Sequence, residues 1–332
     1  GNDQHVGAVK RKLVMEAVDA LRYRPNAIAR SMVKQKTATI GLVITEIENL
    51  LFTPVIAGVE AVLRPTGYHI VLVGAPDVES EVQAIETLRS QQVDGFIFMS
   101  LSICHPNDHL IALQEEGVPF VVINRCIEDM TVNQVGWADS EVGYAATSHL
   151  ISLGHTRIGT LCGPLNSTPA RRSAIGRHQG WLQALNEHHL PVVPEWIVSS
   201  DYSYEGGYQA AQQVVTQTLQ GRKRPTALFV ASDVLAVGAL KALQQGGLRV
   251  PHDIELVATG DPPFAAYTIP ALTTLSLPVA ESGQVAARIL FDWLQSGKSA
   301  EAEQTTLSFR LKIRESCGAN KTQQAISPFS AL

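Results

Sequence analysis

The chain is predicted to be an α/β protein built from two doubly wound halves in series, and three observations carry that prediction. Short apolar runs rich in Val, Ile and Phe alternate with amphipathic stretches at helical spacing, which is the pattern of βαβ units. The alternation runs from Thr39 to about residue 138 and then begins again. The apolar runs are nearly unbroken, as strands covered on both faces of a parallel sheet require.

In order, "TIGLVIT" (39–45) reads as a strand and "PVIAGVEAVLRPTG" (54–67) as a helix ending on Gly. Strands follow at 69–74, 94–100 and 119–124, with helices at 79–92 and 105–117 between them. The second half has helices at 141–154, 176–190, 206–219 and 234–247. Its strands are expected at 156–163, 196–200, 226–231 and 253–260. "TTLSLP" (273–278), a long helix over 281–297 and one last strand near 306–313 close the pattern. Residues 319–332 show no periodicity and are expected to be a loose tail. No low-complexity linker separates the halves, so several short crossings are expected. The expected lobes are 37–138 with 279–305, and 139–278 with 306–318.

The bulk numbers agree with this organisation. A chain of 332 residues, 45% apolar and 17% charged, is long enough for two cores. It has no run of about 18 apolar residues, so no membrane span is predicted. The first 30 residues lack the apolar stretch of a signal peptide, and the expected location is cytoplasmic. The cysteines, at 104, 126, 162 and 317, form no CxxC pair and read as reduced structural thiols. Charge is unevenly spread: residues 1–36 hold eight Lys/Arg against three Asp/Glu, whereas the whole chain sums to −5. A basic head on an acidic body fits a nucleic-acid-facing or membrane-facing end, and by charge alone it fits a solvated helix with ordinary surface lysines equally well.

No catalytic or metal constellation is visible. GxGxxG, GxxxxGK[ST], GxSxG and HExxH are all absent, and the His188-His189 pair lacks the i, i+4 spacing of a metal site. Ser232 beside Asp233 has no histidine placed to activate it, and Asp233 reads as the N-cap of the following helix. Glu48 and Asp139 are lone carboxylates. No cofactor, metal or enzymatic activity is expected. Ligands of doubly wound sheets bind beyond the carboxyl ends of the strands. Residues just after the strands are therefore the candidates for a small polar ligand: Asn49, Phe52, Asn124, Arg125, Tyr202, Ser232, Asp233 and Asp261. Arginine and amides make directional bonds to hydroxyls or a carboxylate. Phe52 and Tyr202 offer flat apolar faces to a sugar ring or base.

The stretch "YRPNAIARSM" (23–32) followed by "KTATIGLVI" resembles the LacI/GalR family of bacterial transcription regulators. "PFVVINR", "HLISLGHTRIGTLCGP", "RHQGWLQAL", "ASDVLAVGALKAL", "PALTTL" and "RES" match in the same order, so the resemblance covers roughly residues 2–318. It implies a DNA-binding regulator, most often a repressor, with a helix-turn-helix headpiece, a hinge helix, and a two-lobed, periplasmic-binding-protein-like body that dimerises. Residues 1–36 would be the end of the headpiece plus the hinge, with the first two headpiece helices expected upstream of Gly1. In the family the hinge enters the DNA minor groove. By position Met32 matches the apolar wedge, where leucine is more usual, and Arg24, Asn26 and Arg30 would meet phosphate or groove floor, with Ile28 and Ala29 on the same helix.

The resemblance also adds Arg177, three residues before Gly180, as an effector contact, and removing it is expected to leave the fold intact. Asn124 stands where Asp is common, Ser232 where Asn is common, and Gly260 where the first Asp of "GFDD" is usual. With Arg125 and Arg177 retained, the expected effector is a sugar, a sugar acid or a phosphosugar. A solute-binding protein of periplasmic type, with no DNA function, shares the architecture and is the alternative.

Overall fold

The computed structural model describes residues 7–20, 36–99, 107–125, 127, 130–165, 172–221, 223–297 and 302–319. The residues assigned to the hinge, Arg24, Asn26, Ile28, Ala29, Arg30 and Met32, lie outside the described residues, as does most of 319–332. Ahead of them stands one helix, α1 (Ala8–Ala20).

The first half alternates as β1 (Thr39–Ile44), α2 (Phe52–Leu63), β2 (His69–Gly74), α3 (Val78–Ser90), β3 (Gly95–Met99), α4 (Asp108–Glu115), β4 (Phe120–Ile123) and β5 (Gln134–Gly136). The second continues as α5 (Asp139–Ser152), β6 (Ile158–Cys162), α6 (Arg172–Glu187), β7 (Ile197–Ser199), α7 (Tyr204–Leu219), β8 (Ala227–Val230), α8 (Asp233–Gln245), β9 (Glu255–Thr259) and β10 (Thr273–Ser276). Then come α9 (Val279–Ser296), β11 (Gln304–Thr306) and β12 (Arg310–Lys312).

Two six-stranded sheets result, in the orders β11-β5-β4-β3-β1-β2 and β12-β10-β9-β8-β6-β7. Every pairing is parallel except β10 with β12. The chain passes between the sheets three times: from β5 into α5, from β10 into α9, and from β11 into β12. The single closing strand expected near 306–313 is corrected here. Two three-residue strands replace it, one on each sheet, because the segment crosses between them. β5 is too short to show periodicity, and the sequence reading missed it.

Strand interiors are covered on both faces, with Ile40, Leu42, Val43, Ile44, Phe96, Ile97 and Phe98 all fully buried. Each such side chain contributes roughly 1.5–3 kcal/mol by leaving water. Three helix pairs pack with almost no side chain between them. A Cβ on Gly58 would collide with the Ala280 carbonyl of α9, one on Gly143 with the Arg177 carbonyl, and one on Gly207 with the Leu235 carbonyl. Gly283, Gly180 and Gly238 answer from the opposite helices. Glycine at these six positions sets how close α2/α9, α5/α6 and α7/α8 come.

Candidate functional site

The α5/α6 contact builds the centre of the site. Asp139 and Gly143 lie one turn apart on α5, and Arg177 and Gly180 lie one turn apart on α6. Bringing the two backbones together at the glycines brings the Asp139 carboxylate to the Arg177 guanidinium. Arg177 Nε donates to Asp139 Oδ1 at 2.9 Å, and Arg177 Nη1 donates to the Ala231 carbonyl at 2.6 Å, just past β8. Trp137 Nε1 donates to the same Asp139 oxygen at 3.2 Å, and Asn124 Nδ2 donates to Oδ2 at 3.3 Å. Asp139 opens α5, where the helix dipole favours a carboxylate. It stands immediately after the first crossing, so the last strand ends of one lobe and two helices of the other meet on one carboxylate. Burial works against the Arg177 charge, yet Asp139 and the other acidic groups around it raise its pKa above the usual arginine value.

Tyr202 lies beside Arg177. Its ring fills the place of a side chain at residue 163, because a Cβ on Gly163 would run into it. Burial pushes the phenol pKa up, and Arg177 and a hydrogen bond with Ser173 offset part of that. Asp233 stands opposite. Its Oδ1 accepts from the Val234 amide at 2.7 Å, and its Oδ2 would be 2.8 Å from a Cβ on Gly260, whose φ of +93° also favours glycine. Burial raises the Asp233 pKa, with the Val234 amide and Arg177 opposing and Asp261 adding to it. Ser232, not Asp233, is the N-cap of α8: its side chain accepts from the Leu235 amide at 3.2 Å, and Asp233 is the first helical residue.

The remaining candidates are engaged by other partners. Asp261 accepts from Lys312 and Arg314, at 2.5 and 2.6 Å. Burial would raise its pKa, but those two cations bring it below the usual carboxylate value. Arg125 is 3% exposed, and its guanidinium reaches into the first lobe. It donates to Glu81 on α3 at 2.6 Å and to Asn107 at 2.9 and 3.2 Å. His109 meets the same Glu81 oxygen at 2.6 Å. What Arg125 shows outward is its carbonyl, which takes a hydrogen bond from Arg172 Nη1 at 3.0 Å across the lobes. Phe52 is 5% exposed and belongs to the apolar core as the first residue of α2. Asn49 shapes that helix start, its Oδ1 accepting from the Leu51 amide at 3.0 Å.

The structure therefore gathers Asn124, Arg177, Tyr202, Ser232 and Asp233 around Asp139 and the Ala231 carbonyl. Asp139 and Trp137 were missed as site residues by the sequence reading. The local signal for them is faint: an acidic residue opening a helix in "WADSE", with glycines four and three residues beyond the two charges. The ion pair bears on the expectation that removing Arg177 leaves the fold intact, since that change would strand a buried carboxylate. Among the described residues, no cluster of three or more His, Cys, Asp or Glu could hold a metal ion, and no helix is long and apolar enough to cross a membrane.

Residues 147–317 match the periplasmic binding protein-like domain family. The ribose operon repressor of Haemophilus influenzae is 35% identical over 287 residues, covering 86% of this chain and 83% of that protein. The transcriptional repressor PurR of Photorhabdus laumondii is 35% identical over 307 residues, covering 91% of this chain and 86% of that protein. Among solved structures, the regulator CelR in complex with cellobiose superposes with a TM-score of 0.73 at 28% identity, covering 94% of this chain and 92% of that one. A ribose-bound LacI-family regulator from Enterococcus faecium gives 0.71 at 28% identity, covering 84% and 98%. Both of these curated relatives are named as repressors, and they carry the regulator reading over the solute-binding alternative.

Proposed function

We infer that this chain, which belongs to the LacI/GalR family of bacterial transcription regulators, is a cytoplasmic homodimeric repressor whose operator affinity changes when a neutral sugar binds between its lobes. The observation that carries the effector class is the compensation of both buried arginines. Arg177 is paired with Asp139 and Arg125 with Glu81, so neither offers a spare positive charge to a carboxylate or phosphate. What Arg177, Asp139, Asn124, Tyr202 and Asp233 offer is a set of donors and acceptors suited to hydroxyls. The solved relatives holding cellobiose and ribose support the same class. To act, the sugar must bind the two lobe arrangements unequally, because equal affinity shifts nothing.

The DNA contacts fall to Arg24, Asn26, Arg30 and the wedge residue Met32, supported by the basic balance of residues 1–36. The homodimer is supported by apolar side chains left in water, above all Tyr267 at 85% and Ile269 at 95% exposure. Two measurements test the reading. In thermal unfolding with ribose, cellobiose, gluconate and ribose 5-phosphate, a neutral sugar at 100 times its Kd should add about 2.7 kcal/mol. Stabilisation by the anionic compounds alone would overturn the effector class. Sedimentation should give a dimer that Tyr267→Asp with Ile269→Asp splits into monomers, and a wild-type monomer at micromolar concentration would remove the dimer.

A further inference from the structure

The segment "VDGFIF" (93–98) leads into strand β3, but its aspartate does something that strand formation does not require. Asp94 stands one residue before β3, beside residues 36–38, which lead into β1. Its Oδ1 accepts from the Thr37 amide at 2.9 Å and from the Thr37 hydroxyl at 3.2 Å, and its Oδ2 accepts from the Ala38 amide at 3.0 Å. The Thr37 hydroxyl also meets the Gln92 carbonyl at 2.8 Å. Lys36 Nζ caps the carbonyl of Leu294, near the end of α9, at 2.8 Å. Ala38 is held at φ +55° and Gln92 at φ +59°, a conformation non-glycine residues adopt only when their surroundings impose it. Tyr68 hydrogen-bonds the same carboxylate, and burial together with the Asp94 charge pushes its phenol up to about 12. Residues 36–38 are thus held against the first lobe through one carboxylate, two amides and a strained alanine.

We propose that Asp94 is a positioning residue for DNA binding, clamping residues 36–38 so that the preceding DNA-contacting segment moves with the first lobe. The proposal rests on the DNA-binding reading of residues 1–36. It requires that loosening the clamp spare phosphate attraction, which needs only basic side chains, and weaken operator recognition, which needs a fixed orientation. Both oxygens are used, so Asp94→Ala removes the clamp and Asp94→Asn leaves a single acceptor.

The experiment compares the full-length protein with both variants in two readouts. Hydrogen exchange at the Thr37 and Ala38 amides should speed up about a hundredfold in Asp94→Ala, with Ile40 and Leu42 unchanged. Affinity for the duplex that the wild type selects from a random-sequence pool should fall at least about tenfold, while affinity for an unselected duplex stays within about twofold. Asp94→Asn should fall between. Fast amide exchange with undiminished affinity for the selected duplex would overturn the proposal, and so would unchanged amide exchange. A wild type that selects no duplex would overturn it together with the DNA-binding reading, and the amide comparison would still judge the clamp by itself.

Discussion

Arg125 and Arg177 are the two arginines buried among the described residues, at 3% and 7% exposure, and each is paired with a carboxylate, yet they do opposite things. Arg125 turns back into its own lobe, onto Glu81, Asn107 and His109. It locks α3 and α4 to the end of β4 and places its carbonyl at the lobe boundary. Arg177 joins three places that a lobe movement would rearrange: the crossing at Asp139, the end of β8 and, through Asp139, Asn124 at the end of β4. The lesson is that a buried ion pair within one lobe is scaffold, whereas one at a crossing can serve as scaffold and site together.

The comparison breaks most visibly at Glu81. Glu81→Ala leaves the Arg125 charge buried without its carboxylate and should cost about 3–5 kcal/mol in urea or thermal unfolding. A loss under about 1 kcal/mol would show that Arg125 finds water instead. Arg177→Ala strands Asp139 in turn, but Trp137 and Asn124 still donate to it, so the expected loss is smaller, about 2–3 kcal/mol. It should also abolish stabilisation by sugar, which a Glu81 variant should retain. If both variants lose or both keep the sugar response, the division of roles fails.

The smallest effect is expected at Asp233. Its pKa is raised in the fold, so the folded state binds its proton more tightly than the unfolded chain does. Stability from this group is therefore gained as pH falls through the raised value and lost as pH rises above it. Asp233→Asn mimics the protonated form and should stabilise the protein slightly at pH 7, by less than about 1 kcal/mol. The advantage should vanish toward pH 4. The same substitution should weaken sugar binding, since an acceptor oxygen is lost. A variant that is less stable at pH 7 would place Asp233 among the structural carboxylates beside Asp261.

Much of the architecture could be read without coordinates, because it rests on local rules. β-branched apolar runs at 39–45 and 226–231, helical spacing at 206–219 and the restart after residue 138 depend only on neighbours a few residues apart. Asn124, Tyr202, Ser232 and Asp233 likewise follow the strands closely, and the fold brings them near one another. Where local signal was thin, boundaries moved: β5 and β11 are three residues each, too short for a period to show.

Partner choice was decided only by the tertiary structure. Glu81 and Arg125 are 44 residues apart, and Asp139 and Arg177 are 38 apart. Asp261 is 53 residues from Arg314. Nothing in a lone arginine or aspartate says whether its charge will be matched, because matching depends on which helices the glycines let approach and which way a buried side chain turns to escape desolvation. The sequence could place Arg125 and Arg177 at the mouths of two lobes. Packing alone turned one inward onto Glu81 and set the other on Asp139 at the crossing.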